Sequence, residues 1–355
     1  LGQIYIPTFK FRNGKEELST MLVNTDLTRM FQLRLPVIMA PMFLVSNETM
    51  MQSALDYGIM GTFPSLNYRQ KGELKEVLRR LNKYKQENKS KGSIGVNLIV
   101  QQTNPLYREH LDVCAEAQVP LFITSLGNPS EVITRAHSYG GKVFCDVTNL
   151  EHAEKCAQLG CDGFIAVTQG AGGHAGPYPF SVLVPALRER FPDIPVIVAG
   201  GIATGAGILS ALALDASGVS MGTRFIASKE ASVSDAYKQA VVDAGMSDIM
   251  MTERLSGTPC AVISTPYAKK LGAKQNAIEK WLSTNKRTRK YFKMLVQLKG
   301  FKKLEEAVKP GNYNNLWSAG QSVALIHDIK SCKEILDQLE DEMKTAITSL
   351  RQKTG

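Results

Sequence analysis

The first feature that could carry out chemistry is a glycine-rich stretch that contains a single histidine. It runs Gly-Ala-Gly-Gly-His-Ala-Gly over residues 170–176 and closely follows the apolar run Gly163–Val167. Because glycine has no Cβ, a loop of this composition lets the backbone approach a ligand closely. His174 would give that ligand a neighbour able to exchange a proton near neutral pH. The pattern predicts a ligand site with His174 as its strongest catalytic candidate.

Two later apolar runs also end in glycine. Gly200-Gly201 follows one of them, and Met221-Gly222-Thr223 closes the other. In a parallel α/β barrel, a phosphate group commonly binds at the loops after the last two strands, where backbone N–H groups and a short helix converge. We therefore expect these five residues to hold the phosphate of a cofactor.

Polar side chains stand at or just beyond the ends of other predicted strands. They are Asn97, Ser125, Asp146 and Gln169. An amide such as that of Asn97 can both donate and accept hydrogen bonds, which suits the edge of a heterocyclic ring. Each of these groups could instead satisfy a neighbouring backbone group, but their shared position predicts that they face one ligand.

The remaining reactive residue types do not form a second site. His110, His137, His152 and His327 lie in predicted helical or buried-strand contexts, so we expect structural roles for them. The six cysteines include no C-x-x-C pair, which argues against a zinc ribbon or a disulfide framework and fits a reducing compartment. We predict no metal site, because no cluster of ligands has metal-binding spacing.

Eight short apolar runs alternate with amphipathic helical patterns along the chain. The predicted strands are Val37–Ala40, Gly58–Phe63, Ser93–Val100, Pro120–Ser125, Lys142–Val147, Gly163–Val167, Pro195–Ala199 and Gly218–Met221. The predicted helices are Glu48–Tyr57, Gln70–Tyr84, Pro105–Ala117, Pro129–Tyr139, Leu150–Leu159, Phe180–Arg190 and Thr204–Leu214, with Ala227–Ala244 able to serve as the eighth. Regular alternation indicates a parallel sheet, and eight units are the number that closes a (β/α)8 TIM barrel.

The competing α/β architecture is an open doubly wound sheet. Its first strand would lead into a G-x-G-x-x-G turn, whereas here it ends in Ala40-Pro41-Met42. The strands are also continuous apolar runs, as expected when helices cover the outer face and a packed interior covers the other. The sequence therefore favours the barrel.

Three regions are predicted along the chain. Residues 1–35 form a lead-in hairpin or loop that could plug the bottom of the barrel, residues 36–234 form the barrel, and residues 235–355 form a mostly helical cap packed on it. The helices expected in the cap are Asp235–Ala244, Ala277–Trp281, Thr288–Leu298 and Lys330–Ser349.

The composition is that of an ordinary globular protein. Of the 355 residues, 44% are hydrophobic and 21% charged, and no apolar run approaches the ~18–20 residues of a membrane span. The first residues show no basic stretch followed by an apolar one, so we expect a cytoplasmic protein. The sequence leaves a homodimer open.

The net charge of +9 is concentrated in one segment. Residues 268–303 contain twelve Lys or Arg and a single acid, Glu279. Such a run is either a solvated helical face or a docking surface for an acidic partner, such as an acidic carrier protein. The aromatic residues Trp281, Tyr291 and Phe292 do not alternate with the cations as a base-stacking platform would, which disfavours nucleic acid.

These motifs together resemble the nitronate monooxygenase family, formerly called 2-nitropropane dioxygenases, which are FMN-dependent barrels. The resemblance runs from about Leu35 to Glu230 and returns near Trp317–Ser322. The motifs that carry it are Ala40-Pro41-Met42, Gly95-Val96-Asn97, Ala171-Gly172-Gly173-His174-Ala175-Gly176, Ala199-Gly200-Gly201-Ile202 and Gly222-Thr223-Arg224-Phe225.

The resemblance implies roles for particular residues. Pro41, Met42 and Asn97 would line the flavin ring, and His174 would take an acidic carbon proton from a nitroalkane or steady an anionic nitronate. The residues that would hold the ribityl phosphate are Gly172, Gly173, Gly200, Gly201, Gly222 and Thr223. A nitronate would give one electron to oxidised FMN, leaving a semiquinone that reacts with O₂. The chain departs from the family in Thr168-Gln169-Gly170-Ala171, which is shorter and lacks an acid.

Three alternatives share parts of this interpretation. An FMN-dependent enoyl-acyl-carrier-protein reductase would use NAD(P)H, and the basic segment would suit its acidic carrier. A flavin-binding module with little catalysis would retain the cofactor residues. An IMP-dehydrogenase-like enzyme needs a nucleophilic cysteine in the sixth loop, and residues 170–179 contain none.

Overall fold

A computed structural model of the protein describes residues 23–101, 104–254, 258–273 and 316–354. Within these residues, eight parallel strands form a closed barrel. They are β1 (Val37–Met39), β2 (Met60–Pro64), β3 (Ser93–Ile99), β4 (Leu121–Ser125), β5 (Lys142–Val147), β6 (Gly163–Val167), β8 (Val196–Ala199) and β9 (Gly218–Met221). The barrel closes where Val37 pairs with Val219 and Met39 with Met221. The predicted fold class is confirmed.

Helices cover the outside of the barrel and extend beyond it. They are α1 (Asp26–Phe31), α2 (Glu48–Tyr57), α3 (Glu73–Glu87), α4 (Tyr107–Glu116), α5 (Ser130–His137), α6 (Leu150–Gln158), α7 (Phe180–Arg190), α8 (Gly205–Ala213), α9 (Thr223–Ile226), α10 (Asp235–Asp243), α11 (Pro266–Leu271) and α12 (Cys332–Thr354). No helix in the described ranges is long and apolar enough to span a membrane.

The strands bury both faces because alternate residues enter two different cores. Ile38, Phe144 and Ile197 belong to a cluster inside the barrel. Val37 and Val196 belong to the larger cluster between the barrel and its helices. This division explains why the strands are continuous apolar runs rather than alternating ones.

A short helix, rather than a hairpin, closes the amino-terminal end of the barrel. Thr25 caps α1 by accepting a hydrogen bond from the backbone N–H of Thr28. Leu27 is fully buried in the interior cluster, and the ring of Phe31 packs edge-on against Phe144 at a centroid distance of 6.2 Å. Residues 23–35 therefore fill the bottom of the barrel. They do so with a helix, so the predicted hairpin or loop was wrong for this stretch.

The predicted eighth helix, Ala227–Ala244, was also wrong as a continuous element. The chain instead forms α9, an irregular stretch, and then α10, which Ser234 caps. Serine side chains compete for backbone hydrogen bonds and so favour caps over helix interiors. In this stretch the N–H of Lys229 donates to the carbonyl of Lys330 and not to a carbonyl one helical turn earlier.

The helix α12 takes the place beside α8 and α2 in the outer ring. Gly205 in α8 lies so close to it that a Cβ there would sit 2.3 Å from the carbonyl oxygen of Leu339. The backbone N–H of Gly205 donates to the Glu342 carboxylate at 2.7 Å. On the α2 side, buried Glu340 accepts hydrogen bonds from Tyr57 and Arg34. The C-terminal segment is thus part of the barrel wall as well as an addition to it.

A small antiparallel sheet that the sequence did not predict lies over the barrel. It joins β10 (Ile249–Thr252), β11 (Cys260–Ile263) and β7 (Gly173–His174) in that order. The predicted final helix Lys330–Ser349 corresponds to α12. The predicted helices Ala277–Trp281 and Thr288–Leu298, with most of the basic segment, lie outside the described residues. The three domain boundaries stay predictions.

Candidate active site

One cavity of about 710 Å³ opens at the carboxyl ends of the barrel strands. Ligand pockets of small molecules and cofactors span roughly 300–1,000 Å³. Its wall includes twelve of the residues predicted from sequence, from seven of the eight barrel loops and the strand ends beneath them. These are Pro41, Met42, Asn97, Ser125, Asp146, Gly172, Gly173, His174, Gly200, Gly201, Gly222 and Thr223.

At one end of the cavity, the glycine-rich loops after β6 and β8 pack backbone against backbone. The N–H of Gly201 donates to the carbonyl of Gly170 at 3.0 Å. Gly200 has a φ of +111°, and a Cβ there would lie 2.3 Å from the amide nitrogen of Ala171. Only glycine fits this approach without moving the backbone.

The loop after β9 completes this end of the cavity. Gly222 leads into the single turn α9, whose first residue is Thr223. A Cβ on Gly222 would meet no atom closer than 3.5 Å, the Met42 sulfur. Backbone N–H groups at the start of a helix turn, with no side chain in front of them, form an environment that favours an anionic oxygen.

A segment near the C-terminus is folded onto the same end. The N–H of Gly320 donates to the Thr223 hydroxyl at 3.1 Å, and a Cβ on Gly172 would lie 2.7 Å from that nitrogen. Tyr237 stacks on Trp317 at 5.3 Å and donates its hydroxyl proton to the carbonyl of Ser318 at 2.6 Å. The segment therefore fixes the hydroxyl of Thr223, which can still donate its own proton.

On the opposite side, three polar side chains form a chain of hydrogen bonds. The Asn97 amide donates to the Ser125 hydroxyl at 2.8 Å and to the carbonyl of Ile123 at 3.0 Å. The Ser125 hydroxyl donates to the Asp146 carboxylate at 2.5 Å. The chain links the ends of β3, β4 and β5 across the floor of the cavity.

The loop after β1 contributes Pro41 and Met42 to the wall. The N–H of Met42 donates to the Ser46 hydroxyl at 3.0 Å, and the carbonyl of Met42 accepts from the Asn67 amide at 3.2 Å. These bonds hold an apolar edge of the cavity in place. An edge of this kind suits one face or rim of a flat aromatic ring.

His174 reaches the cavity from β7. Its strand pairs with β11, so that His174 lies opposite Cys260, and both residues line the cavity. The imidazole is open to solvent, but the surrounding protein disfavours its charged form and lowers its pKa below the ordinary value. At neutral pH the ring is therefore uncharged and can accept a proton.

The sequence profile of the nitronate monooxygenase family matches residues 63–342, which is most of the chain and all of this site except the loop after β1. The chain belongs to the nitronate monooxygenase family. It is an enzyme of that type, an oxidoreductase built on a closed eight-stranded barrel.

Individual relatives extend the similarity over nearly the whole chain. A protein of Rhodococcus jostii named (3aS,4S,5R,7aS)-5-hydroxy-7a-methyl-1-oxo-octahydro-1H-indene-4-carboxyl-CoA dehydrogenase is 26% identical over 89% of this chain and 94% of its own length. The structure of FabK from Thermotoga maritima is 30% identical, with a TM-score of 0.79 over 93% of this chain and 99% of that one. A nitroalkane oxidase from Streptomyces ansochromogenes shares the fold, with a TM-score of 0.75 and 23% identity over 91% of this chain and 99% of that one.

Two of the residues that the sequence predicted for the site do not line the cavity. Gln169 is exposed outside the cavity, and its N–H donates to the carbonyl of Tyr178. Met221 is buried between the barrel and its helices, because its neighbour Ser220 occupies the inward position of β9. Side chains of a strand alternate between faces, so Met221 points away from the cavity where Ser220 points into it.

Sequence reasoning missed other residues of the wall. Tyr237, Ser318 and Ser322 come from beyond the barrel. His152, expected to have only a structural role, lies on α6 and lines the cavity together with Lys155. A helical pattern gave no sign of this, because the contact depends on how α6 packs beside β5.

Proposed function

We propose that this chain is an FMN-dependent oxidoreductase that oxidises alkyl nitronates and nitroalkanes with O₂, with His174 as the base. The observation that carries the proposal is the placement of the His174 imidazole at one wall of a 710 Å³ cavity whose end is a cradle of glycine backbone. The surrounding protein lowers the pKa of this imidazole, which favours its base form. The family supports the same reaction type.

The residues present fit FMN. The phosphate would meet the backbone N–H groups of Gly200 and Gly222 and the hydroxyl of Thr223, while Gly201, whose N–H is bonded to Gly170, would leave space for it because it has no side chain. The flavin ring would lie between the apolar edge at Met42 and the amide of Asn97. Bound FMN would supply the electron acceptor that the protein's own side chains lack.

The chain's own contribution to the reaction is proton transfer and orientation. A nitroalkane bound beside His174 would lose the proton on the carbon next to the nitro group to a ring nitrogen of the imidazole. The lowered pKa keeps the imidazole in its base form near neutral pH. A preformed nitronate has already lost this proton and would need His174 only for positioning.

A second candidate keeps the cofactor and changes the substrate. The relative from Rhodococcus jostii is named for a CoA thioester, and the likeness to FabK covers nearly the whole of both chains. These matches favour an enzyme that acts on an acyl thioester with NAD(P)H, such as an enoyl-acyl-carrier-protein reductase.

One pair of assays separates the two candidates. With the FMN-loaded protein, O₂ uptake is followed with propionate-3-nitronate and with a neutral nitroalkane, and flavin reduction by NAD(P)H is followed without O₂. We expect O₂ uptake and little reduction by NAD(P)H. Rapid reduction by NAD(P)H without nitronate oxidation would reject the first candidate in favour of the second.

A further inference from the structure

The proton transfer proposed above uses one titratable group of the cavity and leaves a second one without a role. This second group is the carboxyl of Asp146, at the end of β5. Among the described residues, its hydrogen-bond partner is the Ser125 hydroxyl, and no cationic side chain shifts its pKa or pairs with it. An unpaired carboxylate beside a ligand-sized space is electrostatically costly, because the surrounding protein cannot replace water around its charge.

The other titratable groups around Asp146 do not neutralise it. His152, Lys155 and Cys156 of α6 line the same part of the cavity. The ammonium group of Lys155 lies 2.7 Å from the Glu151 carboxylate, so its charge is already paired. The neighbouring Cys145 thiol, burial and the charge of Asp146 all raise the pKa of Cys156, which keeps that thiol neutral. His174 faces the cavity from the small sheet above it and is uncharged near neutral pH.

Burial raises the pKa of Asp146 to about 6, and the hydrogen bond from Ser125 opposes this change. Both forms of the carboxyl are therefore accessible within the ordinary working range of a protein. A negative ligand placed in the same cavity would add to the cost of the ionised form, since like charges repel strongly where water is scarce.

We propose that Asp146 couples the binding of a small anion in the cavity to the uptake of one proton, and so sets the preference between anionic and neutral substrates. The inference rests on the proposed function only in taking a nitronate as the anion. Where Asp146 is ionised in the free protein, each rise of one pH unit weakens anion binding about tenfold, because each binding event must bring a proton with it. A neutral nitroalkane carries no charge and escapes this penalty, so alkaline conditions favour it.

The test uses the FMN-loaded protein and nitrate, a planar anion whose own charge stays constant over the pH range used. Calorimetry in buffers of different ionisation enthalpy counts the protons taken up, and the Kd is measured from about pH 5.5 to about pH 8.5. We expect uptake of about one proton above pH ~7 and a Kd that rises about tenfold per pH unit there. Asp146→Asn, which keeps the acceptor for Ser125, should bind nitrate with a Kd that changes little over this range.

Two further variants separate Asp146 from other sources of pH dependence. His174→Asn should keep the tenfold rise in Kd for nitrate per pH unit, because His174 is not the group that takes up the proton. Ser125→Ala should move the onset of the slope to higher pH, since it removes the hydrogen bond that favours the charged carboxylate while leaving the carboxyl in place. Ser125→Ala tests the inference even if Asp146→Asn fails to fold.

An unchanged slope in Asp146→Asn, an unmoved onset in Ser125→Ala, or no binding of nitrate at any pH would overturn the coupling. Its failure is distinguishable from failure of the proposed function. Proton-linked nitrate binding without nitronate oxidation would leave the coupling intact and reject the function. Nitronate oxidation with an unchanged slope in Asp146→Asn would do the reverse.

Discussion

His174 and Cys260 lie opposite each other in the antiparallel pairing of β7 with β11. The proposed base is therefore held by backbone pairing to a segment more than eighty residues further along the chain. A glycine-rich loop alone would leave the imidazole free to move, whereas a strand pair fixes the backbone on which it stands. The pairing gives His174 a defined position above the barrel.

The lowered pKa of His174 predicts the pH dependence of nitroalkane oxidation. The base form is the reactive one, so kcat/KM for a neutral nitroalkane should rise with pH through a value below the ordinary ~6.5 and then stay level. In His174→Asn the rate with this substrate should fall by at least ~10²-fold, with FMN absorbance retained. His137→Asn, at the other end of the barrel, is the matched control and should leave both the rate and the FMN absorbance unchanged. A rate in His174→Asn equal to the wild type would remove the residue from the mechanism.

Gly200 should be required for binding FMN. Gly200→Ala places a Cβ 2.3 Å from the nitrogen of Ala171, so the two glycine loops must separate. We expect Kd for FMN to rise by at least about a hundredfold and the Tm to fall, since an overpacked site costs about 1–3 kcal/mol in addition to backbone strain. Fluorescence titration of FMN and thermal unfolding measure the two effects.

Gly140→Ala is the control for Gly200. Gly140 also has a positive φ, +86°, but a Cβ there would meet nothing within 4 Å. This variant should show only the strain of the left-handed conformation, about 1–2 kcal/mol, with an unchanged Kd for FMN. Equal FMN affinity in the two variants would show that close packing of the loops does not form the cofactor site.

Tyr237 should position the C-terminal segment over the phosphate end of the cavity. Tyr237→Phe removes the hydrogen bond to the carbonyl of Ser318 and leaves that acceptor without this donor, which costs about 1–3 kcal/mol. If the segment shifts, Gly320 no longer fixes Thr223, and we expect Kd for FMN to rise up to about tenfold.

Tyr139→Phe provides a matched comparison for Tyr237. Its hydroxyl also donates to a backbone carbonyl, that of Val119, at 3.0 Å and away from the cavity. Both variants should lower the Tm, but only Tyr237→Phe should weaken FMN binding. The same FMN affinity in both would assign Tyr237 a purely structural role.

Gly205 should be required for the docking of α12 against α8. Gly205→Ala brings a Cβ within 2.3 Å of the Leu339 carbonyl oxygen and 2.5 Å of the Met343 nitrogen. Backbone atoms cannot rotate away, so the helices must move apart and the Tm should fall by several degrees. Gly207→Ala in the same helix meets side-chain atoms at 3.2 Å and gains helix propensity, so its effect should be much smaller. Greater exchange of α12 amides with solvent in Gly205→Ala alone would locate the damage.

The barrel itself could be predicted from the sequence because each strand is a short apolar run bounded by loop residues. Lys142–Val147, Gly163–Val167 and Gly218–Met221 have the predicted limits, and the other strands differ by one or two residues at one or both ends. A strand buried on both faces must be apolar at every position, so the run marks the element directly. Glycine at strand ends marked the loops for a similar reason, since close backbone approach leaves few other choices at Gly200.

Side-chain direction at the strand ends depended on the tertiary structure. Met221 and Ser220 are adjacent, and only the pairing of β9 with β1 decides that the serine faces the cavity. Gln169 lies outside because the loop turns after Thr168, whose hydroxyl donates to the carbonyl of Ala199. Neither outcome can be derived from residue type, because both depend on the phase of the strand where it ends.

The sequence by itself determined the eight-stranded barrel, its glycine cradle and the position of His174 in the glycine-rich stretch, because these depend on local burial and on the lack of a Cβ. The tertiary structure decided what surrounds them. It brought β11 to His174, α12 to the gap beside α8, and Asn97, Ser125 and Asp146 into one chain of hydrogen bonds. These contacts join residues distant in sequence or on separate strands, so the local residue pattern does not specify them.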